Sequence, residues 1–273
     1  MVAAALSGAT LAQTGASRFA LAAVTDPQNR PLVDVGPDDF VIEESGTSRE
    51  ILSARPADYP IVVLLDNGAE AHADFPEMRK AVAHFIDRIG QRPVAVGTFG
   101  NPLTMIATFA DDRREVMKRL NAIESSTSAG SLLLEGASLA GRTLQATGSM
   151  FSAIVVVSAT PIDASRDAPQ ELLAPIVDSN AILHVIANRA AQASSGGSRP
   201  GVALRSLAEQ THGEFTTIYS PASYQAALDR LADRLTSELL VEYLVPVGSK
   251  PSDVKVGIRL AGARVRGLGV APR

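Results

Sequence analysis

The clearest indication of the fold is the segment Tyr59-Pro-Ile-Val-Val-Leu-Leu-Asp-Asn-Gly-Ala-Glu70. Its centre, Ile61-Val-Val-Leu-Leu65, is apolar at every position, whereas a strand with one solvated face alternates apolar and polar residues. A strand that is buried on both faces is typical of the middle of a parallel sheet, which helices cover on both sides. Asp66 then follows the carboxyl end of that strand, which is where open α/β sheets bind their ligands.

Helical and extended patterns alternate along the central part of the chain. Residues 77–89 place Met78, Val82, Phe85 and Ile89 on one helical face. Because parallel strands need crossover connections, the alternation predicts an α/β fold with an open, mostly parallel, Rossmann-like sheet and helices on both faces. The other predicted strands are 93–99, 104–109, 153–158, 181–186 and 214–218, and the other predicted helices are 111–123, 131–145, 170–177 and 202–210.

Two helix starts carry residues that favour helix initiation. Asp112 is predicted to cap helix 111–123, since a short acidic side chain can accept a bond from an unpaired backbone N–H. Ser220 followed by Pro221 is predicted to open the last helix, because proline suits the first helical position. That helix would align Tyr224, Leu228, Leu231, Leu235 and Leu239.

The two ends of the chain have the two-residue alternation of β-structure. The N-terminal part has too few apolar residues for a core of its own, so we predict that it pairs with the C-terminal part in a small β-rich base. The predicted boundaries are 17–57 and 241–273 for the base and 58–240 for the α/β domain. Residues 1–16 resemble the end of a truncated signal peptide, which predicts an exported, periplasmic or extracellular protein, and the alternative is a disordered Ala-rich terminus.

Composition excludes several classes of function. The chain has 273 residues, 46% of them hydrophobic and 20% charged, with a net charge of −4, so nucleic acid is not a predicted partner. Aromatic residues make up only 4%, which argues against glycan and single-strand binding. The absence of cysteine excludes disulfides, cysteine-ligated metals and a cysteine nucleophile. No apolar run approaches the about 18 to 20 residues of a membrane span.

The motifs resemble those of bacterial proteins with a von Willebrand factor A-related domain of the acidobacterial type. Val24-Thr-Asp-Pro-Gln-Asn-Arg-Pro31 leads into Asp39-Phe-Val-Ile-Glu-Glu44, and Leu207-Ala-Glu-Gln-Thr-His-Gly213 precedes a strand, a helix and the strand that contains Glu242-Tyr243. The resemblance extends over about Phe19 to Gly269. It implies a von Willebrand A domain inserted between β-segments that form a base, and a role in binding another protein.

The resemblance also implies a place for a metal-ion-dependent adhesion site. In such domains an Asp-x-Ser-x-Ser loop, a Thr and a second Asp hold Mg²⁺ or a similar cation. The first loop here contains Asp66 but has Gly68 and Glu70 where the serines would stand. Ser131 can stand for the Thr, whereas Ala159 replaces the second Asp. We therefore predict no metal site and no cofactor. A residual site, if one exists, would consist of Asp66, Glu70 and Ser131, with Asp163 near enough in sequence to approach it.

The predicted function is a non-enzymatic, metal-independent module that binds another protein through the loops 66–74, 125–131 and 160–167, together called the rim. The residues predicted to form the binding surface are Asp66, Asn67, Gly68, Glu70, Ser131, Thr160 and Asp163. One alternative is a structural subunit of a cell-envelope assembly that has no active site. Another is a hydrolase that uses Asp66 and Glu70 as an acid/base pair.

The remaining polar residues with chemical potential are interpreted as structural. His72, His84, His184 and His212 are scattered without the spacing of metal ligands. The carboxylate pairs Glu43-Glu44 and Asp111-Asp112 are interpreted as solvated surface residues or helix caps. No catalytic residue is predicted.

Overall fold

The structure of the protein, a computed structural model, describes residues 15–127, 130–160, 164–165, 169–188 and 200–272. β-Strands occupy both ends of this range, and strands alternate with helices between them. In chain order the elements are β1 (Gly15–Thr25), β2 (Phe40–Glu44), β3 (Thr47–Arg49), β4 (Ile51–Pro56), β5 (Ile61–Leu65), α1 (Phe75–Arg88), β6 (Val94–Thr98), β7 (Thr104–Ala107), α2 (Arg113–Asn121), α3 (Leu133–Gln145), β8 (Ser152–Ser158), α4 (Pro169–Asp178), β9 (Ala181–Asn188), α5 (Pro200–Gln210), β10 (Glu214–Ile218), α6 (Ser223–Thr236), β11 (Glu238–Pro246), β12 (Val254–Ile258) and β13 (Arg264–Pro272).

The central sheet has six strands in the order β10-β9-β8-β5-β6-β7. Neighbouring strands are parallel except for β6 and β7, which are antiparallel. Every residue of β5 and β8 is buried, because α1, α2 and α6 cover one face of the sheet and α3, α4 and α5 cover the other. The predicted α/β fold is therefore confirmed. Among the described residues, no helix combines the length and the apolar character that crossing a bilayer requires.

The two predicted helix starts differ in outcome. The Asp112 side chain accepts a hydrogen bond from the backbone N–H of Glu115 at 2.8 Å and caps α2, as predicted. The prediction for the last helix was wrong, because α6 begins at Ser223, and Ser220 lies in the preceding turn with its carbonyl bonded to the Ser223 N–H. The helix also ends before Leu239, which belongs to β11 because that strand pairs with β1 from Glu238 onwards.

The terminal strands form two antiparallel sheets that face each other. One has the order β13-β1-β11-β4 and the other the order β12-β2-β3, so the N- and C-terminal segments build the base together, as predicted. Ala20, Val241 and Tyr243 of the first sheet pack against Phe40 and Ile42 of the second. Strand β1 begins at Gly15, two residues before the predicted start of the base, and the first 14 residues of the proposed leader lie outside the described residues.

The base also has a buried junction with the α/β domain. Phe19, Leu21 and Leu240, on the other face of the four-stranded sheet, join the core that contains α1 and α6. At this junction the carboxyl group of Glu238 is buried and accepts a hydrogen bond from the Tyr59 hydroxyl. The base is therefore packed against the central domain through side chains and not only through its chain connections.

The interpretation of Glu44 as a solvated residue was wrong. Its side chain is only 2% exposed and forms an ion pair with Arg18, which is also 2% exposed. Arg49 approaches the second carboxylate oxygen of Glu44 at 3.4 Å. The cause is the two-residue period of β2, which turns Phe40, Ile42 and Glu44 towards the base core and leaves Glu43 exposed.

Candidate functional site

The carboxyl ends of β5, β8 and β9 lie side by side, because these strands are parallel neighbours. Asp66 directly follows β5, Ala159 follows β8, and Asn188 is the last residue of β9. The loop before α3 brings Ser131 to the same edge, where its hydroxyl reaches Asp66. The structure thus places the predicted rim at the edge of the sheet where ligands of open α/β folds bind.

Asp66 is at the centre of this edge and is fully buried, with 0% of its surface exposed. One carboxylate oxygen, Oδ1, accepts hydrogen bonds from the Gly68 N–H at 3.1 Å and from the Ser131 hydroxyl at 2.5 Å. The other, Oδ2, lies 3.0 Å from the Ser158 hydroxyl and 3.3 Å from the Ala159 N–H. Burial raises the pKa of Asp66, and these four hydrogen bonds only partly offset it. The carboxyl group is therefore satisfied by the protein's own donors.

Three oxygen-bearing side chains converge on Gly68. A Cβ atom at Gly68 would stand 2.9 Å from Ser131 Oγ, 3.4 Å from Asp66 Oδ1 and 3.5 Å from Glu70 Oε2. The Glu70 carboxylate also accepts a hydrogen bond from the backbone N–H of Gly130 at 3.3 Å. The structure thus brings together the residues of the predicted residual site, Asp66, Glu70 and Ser131.

The residues present do not fit the cation that the fold resemblance implies. Magnesium takes six oxygen ligands in an octahedron, and Gly68 and Ala159 contribute no side-chain oxygen at this edge. Of the oxygens that remain, both of those on Asp66 are occupied as hydrogen-bond acceptors. Across the described ranges, no group of three or more His, Cys, Asp or Glu side chains is arranged to hold a metal ion.

The other residues that were predicted to form the binding surface are Asn67, Thr160 and Asp163, and their surroundings differ from one another. Asn67 connects loops, because its Oδ1 accepts the Gly100 N–H at 2.9 Å and its backbone carbonyl accepts the Ser126 N–H at 2.5 Å. Thr160 is buried, and its carbonyl oxygen and Asp66 Oδ2 both lie next to the Ser158 hydroxyl, whose single proton only one of them accepts at a time. Asp163 lies outside the described residues. Asn67 therefore holds the rim together, whereas Glu70 is exposed on it.

Sequence reasoning missed a second polar cluster beside Asp66. The Asn188 amide donates to Asp74 Oδ2 at 2.8 Å, and the Tyr224 hydroxyl donates to the Ser158 carbonyl at 2.8 Å. Burial and the neighbouring Asp74 raise the pKa of Tyr224. The signal in the sequence was Asn188, a polar residue at the end of an otherwise apolar strand. This cluster links the ends of β8 and β9 to the start of α1.

A histidine–serine contact was also missed. His72 Nδ1 lies 2.7 Å from the Ser125 hydroxyl, on the exposed side of the rim. Within the part of the chain that the structure describes, no carboxylate pairs with His72. The contact joins the loop after β5 to the loop that leads to α3, but it lacks the third group that orients the base in a catalytic triad.

Comparison with known proteins identifies the fold. No protein-family model and no curated protein matches the sequence. A von Willebrand factor type A protein from Catenulispora acidiphila superposes with a TM-score of 0.55 at 12% identity, over 96% of this chain and 74% of that one. Proximal thread matrix protein 1 from the mussel byssus gives a TM-score of 0.54 at 10% identity, over 67% of this chain and 49% of that one.

A third structure matches a smaller share of the chain. The conserved hypothetical protein BatB from Bacteroides thetaiotaomicron gives a TM-score of 0.50 at 13% identity, over 64% of this chain and 98% of that one. The chain therefore has the von Willebrand factor A fold, and the first match extends over the base as well. The resemblance inferred from the motifs is confirmed at the level of the fold.

Proposed function

We propose that the chain is a non-enzymatic module that binds another protein through the rim and does not use a divalent cation to do so. The observation that carries this proposal is the state of Asp66, which is fully buried and accepts hydrogen bonds on both carboxylate oxygens from Gly68, Ser131, Ser158 and Ala159. A carboxylate that is satisfied in this way braces the loops around it. A cation would have to displace these donors before a partner could complete its coordination.

The exposed part of the rim indicates what kind of partner fits. Glu70 and His72 are exposed on it, and Glu124 is exposed directly before its second loop. Charged groups at the periphery of an interface steer association and select partners of complementary charge. A partner surface with lysine or arginine side chains is therefore favoured.

A hydrolase that uses Asp66 and Glu70 is the weaker proposal. An acid/base residue must come within hydrogen-bond reach of its substrate, and the buried Asp66 carboxyl is enclosed by its own loops. A structural subunit of a cell-envelope assembly shares the fold but does not require an intact rim. The export of the protein stays a proposal that rests on the N-terminal sequence.

Affinity capture with the purified chain as bait tests the rim. Partners should be recovered equally in Mg²⁺ and in EDTA. The double variant Glu70→Lys/Glu124→Lys should recover at least about tenfold less of the partner, because lysines would then repel the partner's positively charged side chains. The matched control is Glu43→Lys/Glu50→Lys, which makes the same charge change at exposed positions on the base. Undiminished capture by the rim variant, or loss of capture in EDTA, contradicts the proposal.

A further inference from the structure

A cleft of about 400 Å³ lies at the end of α6 that is remote from the rim. Near the start of α6, the Tyr224 hydroxyl donates to the carbonyl of Ser158 at the end of β8, close to the rim. The cleft is lined by Arg230, Arg234 and Ser237 at the other end of the helix. The ends of β1 and β13 form the other walls. The cleft thus sits between the base and the central domain.

Four arginine side chains line this cleft, namely Arg230, Arg234, Arg264 and Arg266. A local concentration of positive charge contrasts with the net charge of −4 of the whole chain. The rest of the lining includes the apolar side chains of Ala23 and Pro31 and the polar side chains of Thr25, Asn29, Asp233 and Ser237, whereas the side chains of Val24 and Val265 turn to the base core. A guanidinium group on an apolar wall is suited to an anion that also has an apolar part.

The arginines are only partly neutralised by the protein. Arg234 pairs with Glu214 at 3.1 Å, and Asp233, which also lines the cleft, pairs through one carboxylate oxygen with Arg88. Within the described ranges, Arg230 and Arg264 form no ion pair. Arg264 makes only a 3.4 Å contact from its Nη1 to the Asn29 side chain. The cleft therefore keeps unpaired positive charge.

A buried histidine next to the cleft gives a second, independent observation. His184 is 1% exposed, and neither ring nitrogen has a hydrogen-bond partner in the described part of the chain. It lines a cavity of about 100 Å³ together with Glu214, Thr216 and Arg230. Arg230 also lines the arginine cleft, so the two spaces share a wall.

The histidine is neutral at physiological pH. Burial, followed by the charges of Arg234 and Arg266, lowers the pKa of His184 to about 3. A neutral imidazole offers one hydrogen-bond donor and one acceptor. A cavity of this volume has room for about three water molecules or for a small polar group of a ligand. An unsatisfied buried imidazole is costly, so a polar group in that cavity would stabilise it.

We propose that the cleft binds a small amphipathic oxyanion, that is, a carboxylate or a phosphate ester on an apolar body. Arg230 and Arg264 hold the oxyanion, and Arg234 and Arg266 add positive charge. The apolar body lies against Ala23 and Pro31, and a polar substituent of the ligand reaches His184. The volume of the cleft is within the range of about 300 to 1,000 Å³ that is usual for small-molecule sites.

Isothermal titration of the full chain tests this site with four probes, namely octanoate, octyl phosphate, octanol and inorganic phosphate. Binding of either amphiphilic anion, at least about tenfold tighter than octanol and inorganic phosphate, supports the site, and the tighter of the two identifies the headgroup. The variant Arg230→Gln/Arg264→Gln should weaken that binding at least about tenfold, because charge-assisted hydrogen bonds are lost. The matched control is Arg114→Gln, an exposed arginine on α2.

Three results overturn the proposal. Affinity for octanol equal to that for the tighter of the two amphiphilic anions would mean that the arginines contribute nothing. Affinity for inorganic phosphate equal to that for the tighter amphiphilic anion would mean that the apolar wall contributes nothing. Unchanged binding by Arg230→Gln/Arg264→Gln would place the ligand elsewhere. None of these results depends on the rim, so the outcome is separate from that of the capture experiment.

Discussion

The substitution Glu44→Gln is expected to lower the free energy of unfolding by about 3 to 5 kcal/mol. Glu44 and Arg18 are both 2% exposed, and they neutralise each other inside the base. Removing one member of such a pair leaves the other charge buried without compensation, which costs more than the pair itself contributes. Chemical denaturation of the purified variant, compared with the unmodified chain, measures the effect.

Two further variants distinguish the loss of the buried ion pair from a general sensitivity of β2 to substitution. Glu43→Gln changes the neighbouring exposed residue and is expected to alter stability by less than about 0.5 kcal/mol. Arg18→Met/Glu44→Leu removes both charges and is expected to recover most of the loss, since apolar pairs of similar volume often replace buried ion pairs without cost. A double variant as unstable as Glu44→Gln would contradict the explanation.

The contribution of Glu238 to stability is expected to fall as pH rises from about 4.5 to about 7, whereas that of His184, whose pKa is lowered by burial, rises over most of the same range. Burial raises the pKa of Glu238 to about 7 from its ordinary value of 4.5, and the hydrogen bond from Tyr59 with the charges of Arg92, Arg234 and Arg266 offsets this only in part. A carboxyl group with a raised pKa binds its proton more tightly in the folded state. The contribution of Glu238 to the free energy of unfolding is therefore complete below about pH 4.5 and is lost by about pH 7, a difference of about 3 kcal/mol.

The variant Glu238→Gln provides the comparison, because glutamine keeps the shape of the side chain but does not titrate. Denaturation at pH 5 and at pH 7.5 should show that the change in stability with rising pH is more favourable for the variant than for the unmodified chain, since His184 contributes equally to both. At pH 7.5 the variant should be at least as stable as the unmodified chain, since it removes a buried charge. Identical pH dependence of the two proteins would contradict the assignment.

The fold was predictable because its main signals are local. The uniformly apolar segment Ile61–Leu65 indicated a central parallel strand, and helical spacing such as that of Met78, Val82 and Phe85 indicated the covering helices. The base was predictable by elimination, since neither chain end had enough apolar residues to form a core alone. The boundary between α6 and β11 was not predictable, because the pairing of Glu238 with Ala23 depends on a strand more than 200 residues earlier in the chain.

Buried polar residues were the main feature that the sequence did not predict. The alternation of β2 would have placed Glu44 on the same face as Phe40 and Ile42, but its partner Arg18 is on another strand and left no local signal. Glu238 follows a helix end, and its contact with Tyr59 depends on how the base packs against the central domain. Pairs of this kind require the tertiary structure.

The candidate site was partly predictable. Asp66 stands at the carboxyl end of a central strand, and the resemblance to von Willebrand A domains directed attention to Glu70 and Ser131, whose oxygens do converge near Gly68. The bracing role of Asn67 and the cluster of Asp74, Asn188 and Tyr224 were not foreseen. Their partners lie in loops whose relative positions only the folded sheet determines.

The most direct test of the proposed metal-independent rim is isothermal titration of the chain with Mg²⁺, Mn²⁺ and Ca²⁺. We predict no heat beyond dilution for the unmodified protein. The variant Gly68→Ser/Ala159→Asp, which returns two oxygen-bearing side chains to this edge, is the positive control and should bind Mg²⁺. A saturable heat from the unmodified chain that Asp66→Ala abolishes would contradict the account.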